Sequence, residues 1–148
     1  MSFTVAFDID ETLADILPLM QEGHKWIDII QGNPFPSVRP EMRRILENHV
    51  AMGDEVIIIS SRPMRFHEET LRWIHTMVGD FPLYLWDGEY LPGPKAYREA
   101  RNKEAIIARH GLTIDIAYDN NRESRDVYRQ NGAITPWPDK LEREAMAV

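Results

Sequence analysis

Short apolar runs alternate along the chain with longer segments in which apolar residues recur every three or four positions. The apolar runs have the length and side-chain types of buried strands: residues 3–7, 55–60, 82–86, 114–119 and 133–135. The periodic segments have the spacing of amphipathic helices: residues 39–52, 66–78, 95–110 and 121–131. Because strands separated by helices pair in parallel through right-handed crossovers, the pattern predicts a Rossmann-like α/β fold with helices on both faces of a parallel sheet.

Proline and glycine residues mark several of the predicted helix boundaries. Pro40 stands near the start of the helix at 39–52, where helices favour proline, and Gly111 and Gly132 stand where two later helices end. The segment from residue 10 to residue 39 leaves two alternatives, a flap beside the sheet or one helix packed on the core. Its apolar residues are Ile16, Leu17, Leu19, Trp26, Ile29 and Ile30.

Length and composition indicate one ordered domain. The chain has 148 residues without a repeat or linker, so we expect a single domain spanning residues 1–148. No apolar run approaches the roughly 20 residues of a membrane span, and the amino terminus is unlike a signal peptide, so we expect a cytoplasmic protein. Cysteine is absent, which excludes disulfides, a thiolate nucleophile and cysteine-ligated zinc.

The net charge of -7 limits how the chain can contact nucleic acid. A protein that coats nucleic acid along its phosphates carries an extended basic face, which an acidic chain of this size does not provide. If the protein handles a polyanion, we expect it to do so locally, at an end, with a metal ion and a few cationic side chains.

Polar residues stand at or directly after the carboxyl ends of three of the predicted strands. DIDET begins at Asp8, SSR begins at Ser60, and DNN begins at Asp119. Ligands of parallel α/β sheets bind beyond the carboxyl ends of the strands, so these clusters are expected to share one site. Carboxylates, a hydroxyl and a nearby cation suit a hard metal ion and an anionic substrate.

Each candidate also has a structural alternative. Asp10 can cap or turn the chain, and Ser60 or Ser61 can cap the helix that follows. Lys103 on an exposed helix face would only be solvated, but three apolar residues share its face and favour an inward position. Those three residues are Ala96, Ala100 and Ile107.

Four features of the chain, taken in order, resemble the four motifs of the haloacid dehalogenase superfamily of phosphotransferases. They are DxDxT, a strand ending in SSR, a helical lysine and a strand ending in aspartate. Within this superfamily the chain is similar to the 3'-phosphatase domain of phage-type polynucleotide kinase. The stretches that carry this similarity are FDIDETLAD, AMGDEVIIISSRP, ETLRWIHTMVGDFPLYL, KEAIIARHGLTIDIAYDN and RDVYRQNGAI. The resemblance implies a haloacid dehalogenase-type domain and a phosphatase activity.

The resemblance also implies roles for individual residues. Asp8 would be the nucleophile that forms an aspartyl phosphate, and Asp10 the general acid and then the base. Lys103 would neutralise charge on the nucleophile and the phosphate. The residues expected around Mg²⁺ are Asp8, Asp10 through its main-chain carbonyl, Asp119 and Asn120. The side chains expected to bind substrate phosphates or brace the phosphate loop are Thr12, Ser60, Ser61, Arg62 and Arg98.

Two positions depart from the motifs of the resembled family. Asn120 stands where a second acid is common. Either metal binding is weaker, or Asn120 binds through its amide oxygen or through a water, or Glu123 supplies the missing charge. Asn120 and Glu123 also fit a helix-capping arrangement, which we favour. Glu11 stands where the phage enzymes have glycine, and the resulting DxDET resembles some acid phosphatases.

The spacing between motifs leaves no room for a large cap domain, so we expect an open site that admits a DNA or RNA 3' end. Trp86 and Tyr90 either stack a base there or pack their loop onto the sheet. No GxxxxGK[ST] motif occurs, so the resemblance implies either a stand-alone phosphatase or the partner of a separate kinase or ligase. The alternatives are a small-molecule phosphatase such as a nucleotidase, favoured by DxDET and the acidic charge, and a non-catalytic phosphate-binding protein, suggested by Asn120.

Overall fold

The computed structural model describes residues 2–89 and 92–147. The strands are β1 (Thr4–Phe7), β2 (Ala14–Asp15), β3 (Ser37–Val38), β4 (Glu55–Pro63), β5 (Leu83–Trp86) and β6 (Ile116–Tyr118). The helices are α1 (Leu17–Gln21), α2 (Trp26–Ile30), α3 (Pro40–Ala51), α4 (His67–Met77), α5 (Lys95–His110), α6 (Arg122–Gln130) and α7 (Pro138–Met146). A 3-10 turn at Met64–Phe66 leads from β4 into α4.

Four parallel strands form the central sheet in the order β5-β4-β1-β6. Thr4 of β1 pairs with Glu55 of β4, and Val5 pairs with Ile116 of β6 on the other side. β2 and β3 form a separate two-stranded antiparallel sheet. The parallel pairing brings the carboxyl ends of β1, β4 and β6 to one edge of the sheet.

Alternate residues of the strands point to opposite faces of the sheet, and helices cover both faces. Phe7 and Ile58 pack with residues of α3 and α4, whereas Ala6, Ile57 and Ile59 pack with residues of α5 and α6. Strands buried on both faces explain the nearly continuous apolar runs in the sequence. The predicted fold class, a parallel sheet with helices on both faces, is confirmed.

The predicted helix boundaries agree with the structure to within a few residues. Pro40 occupies the first turn of α3, where its missing N–H costs no hydrogen bond. Gly111 ends α5 in the left-handed conformation, with φ of 58°, which glycine adopts without steric cost.

Of the two alternatives for the segment between β1 and α3, the single helix is wrong. The segment contains β2, β3 and two five-residue helices, α1 and α2, and so forms a small flap beside the central sheet. Its residues Ile16, Ile29 and Ile30 are buried in the core, which ties the segment to the sheet. Within the described residues no large cap domain is present, as the motif spacing predicted.

The carboxyl-terminal part differs from the prediction in two ways. The strand expected at 133–135 is wrong, because only Ile134 forms a single bridge with Ile116. Helix α7, in contrast, was not predicted. No helix among residues 2–89 and 92–147 has the length and apolar character needed to cross a membrane.

Candidate active site

Three strand ends place the polar clusters of the sequence around one opening. Asp8 follows β1, Ser61 lies near the carboxyl end of β4, and Asp119 follows β6. A cavity of about 380 Å³ opens at this edge of the sheet. Its lining includes Asp8, Asp10, Ser61, Lys95, Glu99 and Asn120.

A buried lysine joins the two strand-end aspartates. The Nζ of Lys103 lies 3.2 Å from Oδ1 of Asp8 and donates a hydrogen bond to Oδ2 of Asp119. Lys103 and Asp119 are at most 1% exposed. Burial, and then the charge of Asp119, raises the pKa of Asp8 well above its ordinary value. Burial alone would lower the pKa of Lys103, but the charges of Asp119 and Asp8 raise it, so this lysine stays protonated.

Asp10 is paired with Arg62. The Nη2 and Nε atoms of Arg62 lie 2.6 and 3.2 Å from Oδ1 of Asp10, and the indole Nε1 of Trp26 donates to Oδ2 at 3.3 Å. Burial would raise the pKa of Asp10, but the charge and hydrogen bonds of Arg62 outweigh it and lower that pKa. Arg62, which was expected to bind substrate phosphate, is 2% exposed, also reaches Thr70 Oγ1 at 3.4 Å and is not among the residues that line the cavity.

The hydroxyl residues take different positions. Thr12 is buried; its Oγ1 donates to Oδ2 of Asp8 at 3.4 Å and accepts from the main-chain N of Asn120 at 3.2 Å. Ser60 is buried, and its Oγ accepts from the main-chain N of Arg62 at 3.1 Å. Ser61, in contrast, lines the cavity. Thus Thr12 connects the loop after β1 to the loop after β6, Ser60 fixes the backbone at its own strand end, and Ser61 is the serine that reaches the open space.

Asn120 uses both ends of its amide to hold the surrounding loops. Its Nδ2 donates to the carbonyl oxygen of Glu11, and its Oδ1 accepts from the main-chain N of Asp139 at 3.0 Å. The amide oxygen expected at the metal is therefore engaged with the start of α7. The expectation that Asn120 caps the following helix is wrong by one residue. Asn121 caps α6, and its side-chain oxygen accepts a hydrogen bond from the main-chain N of Glu123 at 3.3 Å.

Glu11 has a positive φ of 61°, a conformation that is uncommon outside glycine. Its side chain compensates, because Oε1 accepts from the main-chain N of Ile16 at 2.7 Å and from that of Leu17. The carbonyl of Glu11 also accepts from the guanidinium of Arg39. The glutamate thus keeps the backbone shape that glycine would adopt and fixes the entry to α1.

Arg39 links this loop to α7. In addition to the Glu11 carbonyl, it donates to Oδ1 of Asp139 at 2.7 Å and to Oε2 of Glu142. Asn120 contacts the same Glu11 carbonyl and the same helix. Two side chains therefore connect the Asp8–Thr12 loop to the helix that the sequence pattern did not predict.

Three residues at the site were not singled out as site residues from the sequence. Lys95 and Glu99 line the cavity, and burial raises the pKa of Glu99. A signal for both existed, since they lie eight and four residues before Lys103 on the same face of α5. Trp26 had no such signal, because its contact with Asp10 depends on how α2 folds back onto the sheet.

Trp86 and Arg98, two other sequence-predicted residues, do not line this cavity. Trp86 is 8% exposed, its Nε1 donates to the carbonyl of Glu89 at 3.2 Å, and the Arg109 guanidinium lies 5.4 Å from its ring centroid. Trp86 therefore packs its own loop, and the base-stacking alternative is wrong for it. Tyr90 lies outside the described residues. Arg98 lines a second cavity next to the first.

The donor set fits Mg²⁺. In the described part of the chain, no three histidine, cysteine, aspartate or glutamate side chains are arranged as a metal site. Mg²⁺, however, commonly takes only one or two carboxylates and keeps several waters. Asp8 and Asp119 provide two carboxylates against the single ammonium of Lys103, and a divalent cation would offset the remaining negative charge in this buried cluster.

No protein-family model matches the chain, and neither does any curated protein. Among solved structures, a chain of the Pnkp1/Rnl/Hen1 RNA repair complex superposes with a TM-score of 0.73 at 16% identity, over 92% of this chain and 42% of that one. A Thermotoga maritima protein described as a β-phosphoglucomutase superposes with a TM-score of 0.57 at 14% identity, over 100% of both chains. The chain has the haloacid dehalogenase fold.

The D,D-heptose 1,7-bisphosphate phosphatase from B. bronchiseptica, solved with magnesium and phosphate, also shares this haloacid dehalogenase fold. Its TM-score is 0.55 at 10% identity, over 91% of this chain and 79% of that one. The chain spans less than half of the RNA repair protein that it matches. The fold implied by the sequence resemblance is confirmed by these structures.

Proposed function

We propose that residues 1–148 form one cytoplasmic phosphatase domain, a Mg²⁺-dependent phosphomonoesterase that removes 3'-phosphate from DNA or RNA ends. The observation that carries this proposal is the placement of Asp8 and Asp10 on one open cavity, with Lys103 buried behind Asp8. A nucleophile, an acid-base group and a fixed cation are the parts that phosphoryl transfer to a carboxylate requires.

In the proposed reaction an oxygen of Asp8 attacks phosphorus, and the bond from phosphorus to the leaving oxygen breaks. Asp10 gives a proton to that oxygen, which leaves as an alcohol. Asp10 then takes a proton from the water that attacks the aspartyl phosphate, so that inorganic phosphate leaves and Asp8 is regenerated. Lys103 offsets the negative charge that accumulates between Asp8 and the phosphoryl group.

Asp10 needs a proton for the first step, although Arg62 lowers its pKa in the free protein. The negative charge of a phosphate bound beside the carboxyl raises that pKa again. A phosphomonoester, whose second pKa is about 6, also brings a proton to the site near neutral pH. Substrate binding itself thus prepares Asp10 to act as the acid.

Mg²⁺ would be held by the carboxylates of Asp8 and Asp119 and by the main-chain oxygen of Asp10, and it would supply positive charge against the transferring phosphoryl group. Asn120 is not included among these ligands, because both ends of its amide hold other groups. Its role in the proposal is to fix the Glu11 carbonyl and thereby the loop that carries Asp10.

A nucleic acid end is favoured as substrate for two reasons. In the described residues no cap domain covers the cavity, so a long substrate can enter. One structural match is a chain of an RNA repair complex, which also makes a separate kinase or ligase the proposed kind of partner. A small-molecule phosphatase is the second candidate, because the heptose bisphosphate phosphatase shares the fold and carries magnesium and phosphate.

Phosphate release from 3'-phosphorylated and 5'-phosphorylated oligonucleotides and from mononucleotides, with and without Mg²⁺, tests the proposal. We expect Mg²⁺-dependent release from 3' ends that is lost in Asp8→Asn. Release confined to mononucleotides would support the second candidate. Absence of release from every substrate, in a folded protein with Mg²⁺, would refute the enzymatic proposal.

A further inference from the structure

A second cavity of about 370 Å³ continues from the catalytic one. The two cavities share Ser61, Lys95 and Glu99, so a molecule whose phosphate reaches Asp8 would extend its remaining part into the second cavity. This space therefore lies where the leaving group of a phosphomonoester would be held.

Basic side chains concentrate in this second cavity, although the chain as a whole has a net charge of -7. Arg65, Lys95 and Arg98 line it, against the single acid Glu99. The side chain of Lys95 is 64% exposed, and its Nζ lies 3.8 Å from Oε1 of Glu99. Arg65 packs over Phe66, with its guanidinium carbon 4.8 Å from the centroid of the ring. The excess of cations indicates an anionic ligand.

Trp26 forms an aromatic wall of the same cavity. Its indole is half-buried and packs against the core, and its Nε1 donates to Asp10 at 3.3 Å. Since Asp10 is the proposed proton donor to the leaving oxygen, the group attached to that oxygen would lie beside the indole. An indole next to cationic side chains is the combination that binds a base and its phosphate.

We propose that this second cavity is a subsite for the leaving nucleoside, with the base against Trp26 and a further phosphate between Arg65 and Lys95. The inference rests on the proposed phosphatase function and deepens it. The ligand class is a nucleoside 3'-phosphate that carries a second phosphate on its 5' oxygen. That second group is either the monoester of a free bisphosphate or the last phosphodiester of an oligonucleotide.

A binding experiment tests the subsite without turnover. Calorimetry with Asp8→Asn protein would measure the affinity for a nucleoside 3',5'-bisphosphate and for the matching nucleoside 3'-monophosphate. Adding Trp26→Ala is expected to weaken both about tenfold, because stacking on an aromatic side chain is lost. Adding Arg65→Gln with Lys95→Gln is expected to weaken the bisphosphate about tenfold and the monophosphate little.

Lys140→Gln is the matched control. Lys140 also pairs with a glutamate four residues later, with Nζ 3.9 Å from Oε1 of Glu144, and its side chain is 65% exposed, but it lies on α7 away from the cavity. We expect no change in affinity for either ligand. Equal affinity for the bisphosphate in the Arg65/Lys95 variant and in this control would overturn the subsite.

Steady-state kinetics on a series of substrates then distinguishes the nucleoside subsite from the proposed phosphatase function on which it rests. We expect kcat/KM to rise from glycerol phosphate to a nucleoside 3'-monophosphate, and again to the bisphosphate or a 3'-phosphorylated dinucleotide. The comparison of these last two shows which source of the second phosphate is preferred. Release without any such preference would overturn the subsite alone, whereas binding without release from any substrate would overturn the phosphatase proposal and keep the subsite.

Discussion

Arg62 grips Asp10 through two nitrogens, with Nη2 2.6 Å and Nε 3.2 Å from the same carboxylate oxygen. The arginine is buried, and Ser60 and Thr70 hold its backbone and its other terminal nitrogen. Asp10 is consequently a fixed carboxylate in the free protein. An incoming phosphate must either compete with Asp10 for Arg62 or bring a proton that neutralises the Asp10 carboxylate.

Replacement of Arg62 should affect both stability and the pH dependence of activity. Arg62→Gln leaves the partly buried carboxylate of Asp10 without its cation, which we expect to cost about 2 kcal/mol at pH 7 and about a hundredfold in kcat. The pair lowers the pKa of Asp10, so its stabilisation is present above the unfolded pKa and is lost as the pH falls through the folded one.

Urea unfolding and pH–rate profiles check this expectation. The unfolding free energies of wild-type and Arg62→Gln protein should converge at acid pH, and any ionisation of Asp10 in the rate profile should move to higher pH. Arg62→Lys keeps the positive charge but not the two-nitrogen contact with Asp10, so its unfolding free energy and pH–rate profile should lie between those of the wild type and Arg62→Gln. An unchanged profile in Arg62→Gln would contradict the role of the pair.

Magnesium should stabilise the folded protein through Asp119. The cluster of Asp8, Asp119 and Lys103 has one more negative than positive charge when both carboxyls are ionised, so Mg²⁺ at a hundredfold excess over its Kd should add about 2.7 kcal/mol. Asp119→Asn should abolish the increase in melting temperature. Glu123→Gln makes the same chemical change on an exposed side chain and should retain it; loss of the effect in that variant would assign Glu123 to the metal site.

Arg39 should support catalysis from a distance through the Glu11 carbonyl. Arg39→Gln removes one of the two side-chain connections between the Asp8–Thr12 loop and α7 and leaves that of Asn120 in place, so we expect kcat to fall about tenfold with little change in KM. Arg44→Gln breaks an exposed pair with Glu41 on α3 and should leave kcat unchanged. Steady-state kinetics decides, and equal kcat values for the two variants would show that the connection does not position the loop.

Asp54 should make stability sensitive to acid. The main-chain N–H of Phe3, and then the hydrogen bond with His49, lower the pKa of Asp54 from 3.8. Its contribution is therefore full above pH 3.8 and is lost as the pH falls through the lower folded value. Asp54→Asn should be less stable than wild type at pH 6, and the difference should shrink below pH 3.8. Asp80→Asn, at an exposed position, should show no such convergence in urea unfolding.

The sequence predicted the sheet because its strands are buried on both faces. Runs such as VIII leave few alternatives to a central strand, and motifs after successive strands meet at one edge whatever the details of the helices. Lys103 was correctly expected to point inward because three apolar residues share its helical face. These features depend on local periodicity and on the order of strands and helices, and both can be inferred directly from the amino-acid sequence.

Other features depend on contacts that local pattern does not encode. The burial of Arg62 follows from its pairing with Asp10, 52 residues away in sequence. Helix α7 is held by Arg39, about 100 residues earlier, and its own residues are mostly polar. Trp26 reaches Asp10 only because Ile29 and Ile30 anchor α2 on the core. Each case requires the fold before the contact can be seen.

The first strand of the chain lies at the centre of the sheet. Its partners, β4 and β6, are synthesised about 50 and 110 residues later, as the pairing of Thr4 with Glu55 and of Val5 with Ile116 shows. Large loops must close before this strand is covered, which makes folding slow and leaves its apolar residues exposed to misassembly in the meantime. Asp8 gains Lys103 and Asp119 as neighbours only when α5 and β6 have docked. Recovery of catalysis on refolding would therefore time the docking of these two elements.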